Sequence, residues 1–280
     1  MNTFNTLWRM ITVELLKFRT KSMTWAALGI LFTLPIFAEL LLACTSQREA
    51  VYPQVINYLF GAMLLMVALI LIVVSIMALG NDYELDMVQV ILSQGVNRAQ
   101  FIMAKVIATL VVALAGGTLY VISALLSSYI AHTIISDVPF LTAAGQNIVW
   151  RALGSILVVG LVEFATAGIV MLGLVLGRKA WIGMAIGLGY FLVDFSIVIF
   201  GQTNPLGIQN GYRYTITYQA TSLLEPLFPD ALSFGLPQGW AAQGMISPGQ
   251  AVITLIMYGG LLTAAAILIF HRQDLTSQSA

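Results

Sequence analysis

The chain has 280 residues, of which 59% are hydrophobic and only 9% charged, and its formal net charge is zero. Soluble globular proteins carry about 25% charged residues, so this composition excludes an ordinary soluble domain. The balanced charge offers no basic patch for nucleic acid, and the single cysteine, Cys44, excludes an intramolecular disulfide and a multi-cysteine metal centre.

The apolar residues come in runs of about 20, the length that crosses a hydrocarbon core. They predict an all-α polytopic membrane protein with six transmembrane helices, forming one domain over 1–280. Residues 1–22 precede the first run. Phe4, Leu7, Trp8, Ile11, Leu15 and Phe18 fall at three- and four-residue spacings on one helical face. Asn5, Arg9, Thr12, Lys17 and Arg19 point elsewhere. A basic amphipathic helix with Trp8 at its apolar border is expected to lie in the membrane interface.

The first span is expected over 23–44, with Pro35 as a kink. Its end, Leu41-Leu42-Ala43-Cys44, has the look of a lipoprotein cleavage box, but Glu39 inside the run and the spans that follow argue against processing. A cleavable signal peptide fits poorly too, since its apolar core is usually about 7–15 residues. A polar outer segment, 45–57, leads to the second span, 58–80. The third span begins near Phe101 and extends to about Ala131, with Gly116-Gly117 as a bend. A polar loop over 132–147 precedes the fourth span, 148–176. Gly177-Arg178-Lys179 is a tight basic turn, the fifth span covers 181–200, and the sixth 251–270.

Between the last two spans, residues 201–250 contain Pro205, Pro226, Pro229, Pro237 and Pro248 among apolar patches. The stretch is too broken to span and too apolar for a free linker. Short helices dipping into the outer leaflet and buried against the bundle would satisfy its backbone. An ordinary folded outer loop is the alternative.

Placing both termini in the cytoplasm puts nine of the twelve basic residues inside, leaving Arg48, Arg151 and Arg213 outside. This is a positive-inside bias.

Several chemistries are missing. There is no phosphate-binding Walker A loop, so the chain is not expected to hydrolyse nucleotides itself. Leu92-Ser93-Gln94-Gly95 has only a superficial likeness to an ATPase signature. No H-E-x-x-H occurs, and His132 and His271 map to opposite membrane sides. No metal and no cofactor is expected in this chain. Gly173-x-x-x-Gly177 and Gly183-x-x-x-Gly187 allow close helix approach on either side of the basic turn.

Three carboxylates lie in or near spans. Glu39 and Asp194 fall toward outer ends, where water is expected to reach them. Glu163 falls mid-span, where a charge costs at least about 2.5 kcal/mol on insertion scales unless it faces an interior or a water path. Glu163 and Asp194 are the substrate-path candidates. The other reading of Glu163 is a structural hydrogen bond to a neighbouring helix, with the carboxyl protonated by burial.

The charged connection between spans two and three, residues 81–100, carries Asp82, Glu84, Asp86 and Arg98, with Lys105 just beyond. Leu85, Val88 and Leu92 keep helical spacing, Gln94-Gly95 breaks it, and Asn97 with Gln100 forms a capping box for a new helix. A short helix, a break and a capped restart make a mechanical lever.

This arrangement resembles the ABC-2 type transporter permeases, the membrane subunits of bacterial exporters. The likeness rests on Glu84, on Leu92-Ser93-Gln94-Gly95-Val96-Asn97-Arg98, and on Lys105 entering span three. Asp86-Met87 replaces the family's usual Gly-Thr. Glu14-Leu15-Leu16-Lys17-Phe18-Arg19 looks like the family's interfacial helix, with Trp8, Glu14, Lys17 and Arg19 as its candidate residues. Phe270-His271-Arg272-Gln273-Asp274 looks like its exit from span six. The resemblance implies two separate ATPase subunits carrying ATP and Mg, and a second permease copy or paralogue. It implies docking of the ATPase on 82–98, an outer re-entrant segment over 201–250, contact with membrane lipid, and residence in the bacterial cytoplasmic membrane. The exported substrate is then amphipathic or hydrophobic. The competing expectations are an ATP-independent secondary transporter or channel using Glu163, and a membrane scaffold. The secondary transporter predicts an inverted repeat between the halves, and the residue pattern shows none.

Overall fold

The structure is a computed structural model that describes residues 3–43, 59, 67–76, 80, 82, 87–135, 147–200, 211–228 and 246–273. Among these residues all regular structure is helical. Helix α1 (Thr3–Thr20) carries Ile11, Glu14 and Phe18 on its buried face. The apolar spacing read from the sequence selects this face, but an acid sits in its centre. Trp8, Val13 and Leu16 are exposed.

Helix α2 (Ser22–Ala43) continues through Pro35. Proline leaves the Leu31 carbonyl without its usual donor. The Ser123 hydroxyl donates to the adjacent Phe32 carbonyl, so a neighbouring helix supplies polar support beside the break. Helix α3 (Val67–Ile76) is the described core of the second predicted span. Apart from Leu59 and Gly80, the rest of 58–80 lies outside the described residues.

Helix α4 (Met87–Ser93) is short. It ends at Gly95, whose φ of +83° is a left-handed conformation that glycine adopts freely. Helix α5 (Arg98–Ile135) then runs for 38 residues, roughly 57 Å at 1.5 Å per residue. It outreaches a hydrocarbon core of about 30 Å, so its ends project. Its N-terminus is capped as expected, the Ala99 N–H donating to Asn97 Oδ1 at 3.0 Å. It is unbroken across Gly116-Gly117 and continues past Ala131, so His132 belongs to the helix and not to a polar loop.

Helix α6 (Ile148–Gly177) is the central element, packed against α5 and the later helices. The basic turn is confirmed. Arg178 is left-handed, at φ 53°, and its N–H closes onto the Leu174 carbonyl at 2.8 Å. Helix α7 (Ala180–Phe200) returns alongside. At Gly183 an added Cβ would come within 2.5 Å of the Leu174 side chain, so only glycine allows this approach.

A 3-10 turn, Gly211–Tyr214, leads into helix α8 (Ile216–Leu224), every residue of which is buried. Thr215 caps it, its hydroxyl accepting from the Tyr218 N–H. Helix α9 (Pro248–Arg272) starts with Ser247 as cap and Pro248 in the first turn, and packs along α6. Among the described residues five helices, α2, α5, α6, α7 and α9, are long and apolar enough to cross a membrane.

Candidate functional site

Four charged side chains from three separate regions meet near the N-terminal end of α5. Lys105 Nζ lies 2.5 Å from Asp82 Oδ2 and 3.3 Å from Glu14 Oε2. Lys17 Nζ lies 2.8 Å from Glu14 Oε1 and 2.9 Å from Asp82 Oδ2. Two acids and two bases thus alternate around a closed, neutral ring. The Lys105 side chain has no exposed surface, and its ammonium stands 5.0 Å from the centre of the Phe101 ring. A buried charge is tolerated when it is paired on several sides, and here both acids serve Lys105.

The electrostatics of the ring follow from burial and proximity. Burial pushes the Asp82 carboxyl upward, but Lys105 and Lys17 together outweigh it and hold it below its ordinary value. Burial pushes the Lys17 ammonium downward, and Glu14 and Asp82 outweigh that in turn, holding it above its ordinary value. Asp82 and Lys105 are therefore turned inward onto each other. A membrane-proximal charge lowers its free energy by finding an opposite charge before it finds a partner protein.

Arg98 adds a second junction. Its Nη1 donates to the carbonyl oxygens of Phe270, His271 and Gln273 at 2.6, 3.1 and 2.8 Å. These are the end carbonyls of α9, which lack helical donors of their own. The guanidinium also stands 5.6 Å from the Phe270 ring, which stacks on Phe101. Gln273 Nε2 in turn donates to the Val175 carbonyl at 2.7 Å. The start of α5 is thus fastened to the end of α9, and the end of α9 to α6.

Helix α4 leads into Arg98 through residues 94–97, with Val88 buried and Met87 and Val90 exposed. Glu84 and Asp86 lie outside the described residues. Trp8 and Arg19 are exposed on α1, away from the ring, and the Arg19 carbonyl accepts from Trp25 Nε1 at 2.8 Å.

Asp194 and Glu39, expected within reach of water, are buried. Asp194 is only 3% exposed, and its two oxygens accept from the backbone N–H groups of Ile216 and Thr217, each at 2.9 Å. It is held by the first turn of α8, whose free donors replace water. Glu39 is buried as well, accepting from Ser128 Oγ at 3.2 Å. The Arg151 guanidinium sits 4.5 Å from the centre of the Phe228 ring, and its Nε donates to the Leu227 carbonyl. Asp194 and Arg151 thus grip the two ends of the α8 region.

Glu163 is fully enclosed in α6, with Ser75 Oγ 2.5 Å from Oε1 and Thr166 Oγ1 3.3 Å from Oε2. Ser75 and Thr166 carried no signal in the sequence, because small hydroxyl residues are ordinary in apolar helices. An apolar groove of about 630 Å³ lies between α5, α6, α8 and α9, with Leu110, Leu157, Phe164, Leu227 and Val252 among its walls. Among the described residues no group of acids, histidines or cysteines could hold a metal.

Long apolar helices joined by buried ionic and capping contacts define a multi-pass membrane protein. The family model described as ABC-2 family transporter protein matches residues 10–194, from α1 into α7, and the chain belongs to that family. The match spans every member of the inner ring and Arg98. Membership makes the chain the membrane subunit of an ABC transporter and implies association with an ATP-binding subunit. Comparison with curated proteins gave no match.

Proposed function

We propose that this chain is the permease of an ATP-driven exporter in the bacterial cytoplasmic membrane. It works with a second permease copy or paralogue and with two ATPase subunits that hold ATP and Mg. The cargo is an amphipathic or hydrophobic molecule, such as a peptide antibiotic, a drug or a lipid, moved outward. The observation that carries this reading is the ionic ring that ties Asp82, before α4, to Lys105 on α5, after it. A push on α4 reaches α5 through the short 94–97 link, α1 through Lys17 and Glu14, and α9 through Arg98. Such a junction turns one contact on a partner into motion of several spans.

In this reading Met87 and Val90 form the apolar contact for the ATPase, and the acids Glu84 and Asp86 flank it. Asp82, Arg98 and Lys105 transmit the movement and do not touch the ATPase. The α8 region, held by Asp194 and Arg151, is the outer re-entrant gate. The apolar groove supports a hydrophobic cargo. The chain itself catalyses no reaction.

Co-purification tests this reading. Tagged wild-type chain extracted from its native membranes should bring down an ATP-binding subunit, and Val90→Asp should lose that subunit while keeping the same gel-filtration profile. Transport with no ATP-binding subunit present would overturn the proposal.

A further inference from the structure

The neighbourhood of Glu163 fixes how many protons it must contain. Ser75 Oγ lies 2.5 Å from Glu163 Oε1 and 2.7 Å from the Leu71 carbonyl, one turn back on α3. Thr166 Oγ1 lies 3.1 Å from the carbonyl oxygens of Val162 and Glu163 and 3.3 Å from Glu163 Oε2. Each hydroxyl has one proton to give. An ionised carboxylate only accepts, so the Ser75 proton would have to serve both Oε1 and the Leu71 carbonyl. The Thr166 proton would be divided among three acceptors. A full charge would then sit in the membrane interior with two shared protons. Among the described residues no cation bonds Glu163, whose polar partners are Ser75 and Thr166: Lys105 sits in the ring, Arg98 caps α9, and His132 and His271 lie at the far ends of α5 and α9.

A carboxylic acid relieves the link between the helices. Its O–H donates to Ser75 Oγ, which frees the Ser75 proton for the Leu71 carbonyl, while Thr166 keeps its one proton for acceptors within its own helix. We infer that Glu163 is a neutral acid that donates its proton to Ser75 Oγ, latching α3 to α6 in the middle of the membrane. Ser75 lies seven residues before Asp82, so the second span is fastened at two levels, by the latch and by the ionic ring. Glu163 is accordingly a positioning residue, and it carries no ion across the membrane.

Infrared difference spectroscopy of the full-length protein in lipid tests this. The wild-type spectrum should contain a carboxylic C=O stretch that is lost in Glu163→Gln, shifts in Ser75→Ala, and persists from mildly acidic to mildly alkaline pH. Glu163→Gln, which keeps a donor, should hold the melting temperature that Ser75→Ala lowers. Loss of a carboxylate band in Glu163→Gln, a carboxylic band that titrates in that range, or a melting temperature in Glu163→Gln as low as in Ser75→Ala would overturn the inference.

Discussion

At the scale of single residues, Lys105 sets the energetics of the inner ring. Removing one partner of a buried ion costs about 3–5 kcal/mol, because the other is left charged and unpaired. Asp82→Asn leaves the buried Lys105 with only the longer contact to Glu14, so a loss of that order is expected in denaturant unfolding of the purified protein. Lys17→Met should cost about 1 kcal/mol or less, since Lys17 is partly exposed and Lys105 keeps both acids. The ring also predicts a pH window. Asp82, with its lowered folded value, stabilises fully above its unfolded value near 3.8 and loses that contribution as pH falls through the folded one. Lys17, with its raised folded value, stabilises fully below 10.5 and loses that contribution as pH rises through the folded one. Melting temperatures should therefore show no step from these two groups between those limits, and a decline beyond each. The sequence marked Asp82 and Lys105 in one charged connection and Glu14 and Lys17 in another segment, the N-terminal helix. It did not show that they form one ring, because the pairs join positions 65 and 91 residues apart. Asp194 was misplaced in water for the same reason, since its donors lie 22 residues onward in another helix.

At the scale of elements, periodicity and caps were legible because their causes are local. Run length gives the five long helices among the described residues, Asn97 and Gly95 give the restart of α5, and the basic turn gives the α6–α7 hairpin. The end of α5 was not legible, since polar residues such as His132 are tolerated in a helix that projects beyond the hydrocarbon core. The buried face of α1 was only partly so, because a helical-wheel reading cannot foresee that Lys105 draws Glu14 inward. Close approach at α6–α7 yields a test. Gly183→Val places a branched side chain against Leu174 and should cost about 1–3 kcal/mol by overpacking. A reduced melting temperature, partly restored by adding Leu174→Ala, is the expected result.

At the scale of the whole molecule, the ionic ring and the Arg98 junction join α1, α5, α6 and α9, and α4, with Met87 and Val90 exposed, leads directly into α5. The account therefore stands or falls on what touches α4. The direct measurement is thiol cross-linking from Val90→Cys, with Cys44 replaced by serine, in membranes that contain the whole transporter. Trp150→Cys, exposed at the opposite end of α6, serves as the control. The account predicts an adduct between position 90 and an ATP-binding subunit, changed in yield by ATP, and none from position 150. An adduct from position 150 with none from position 90 would contradict it.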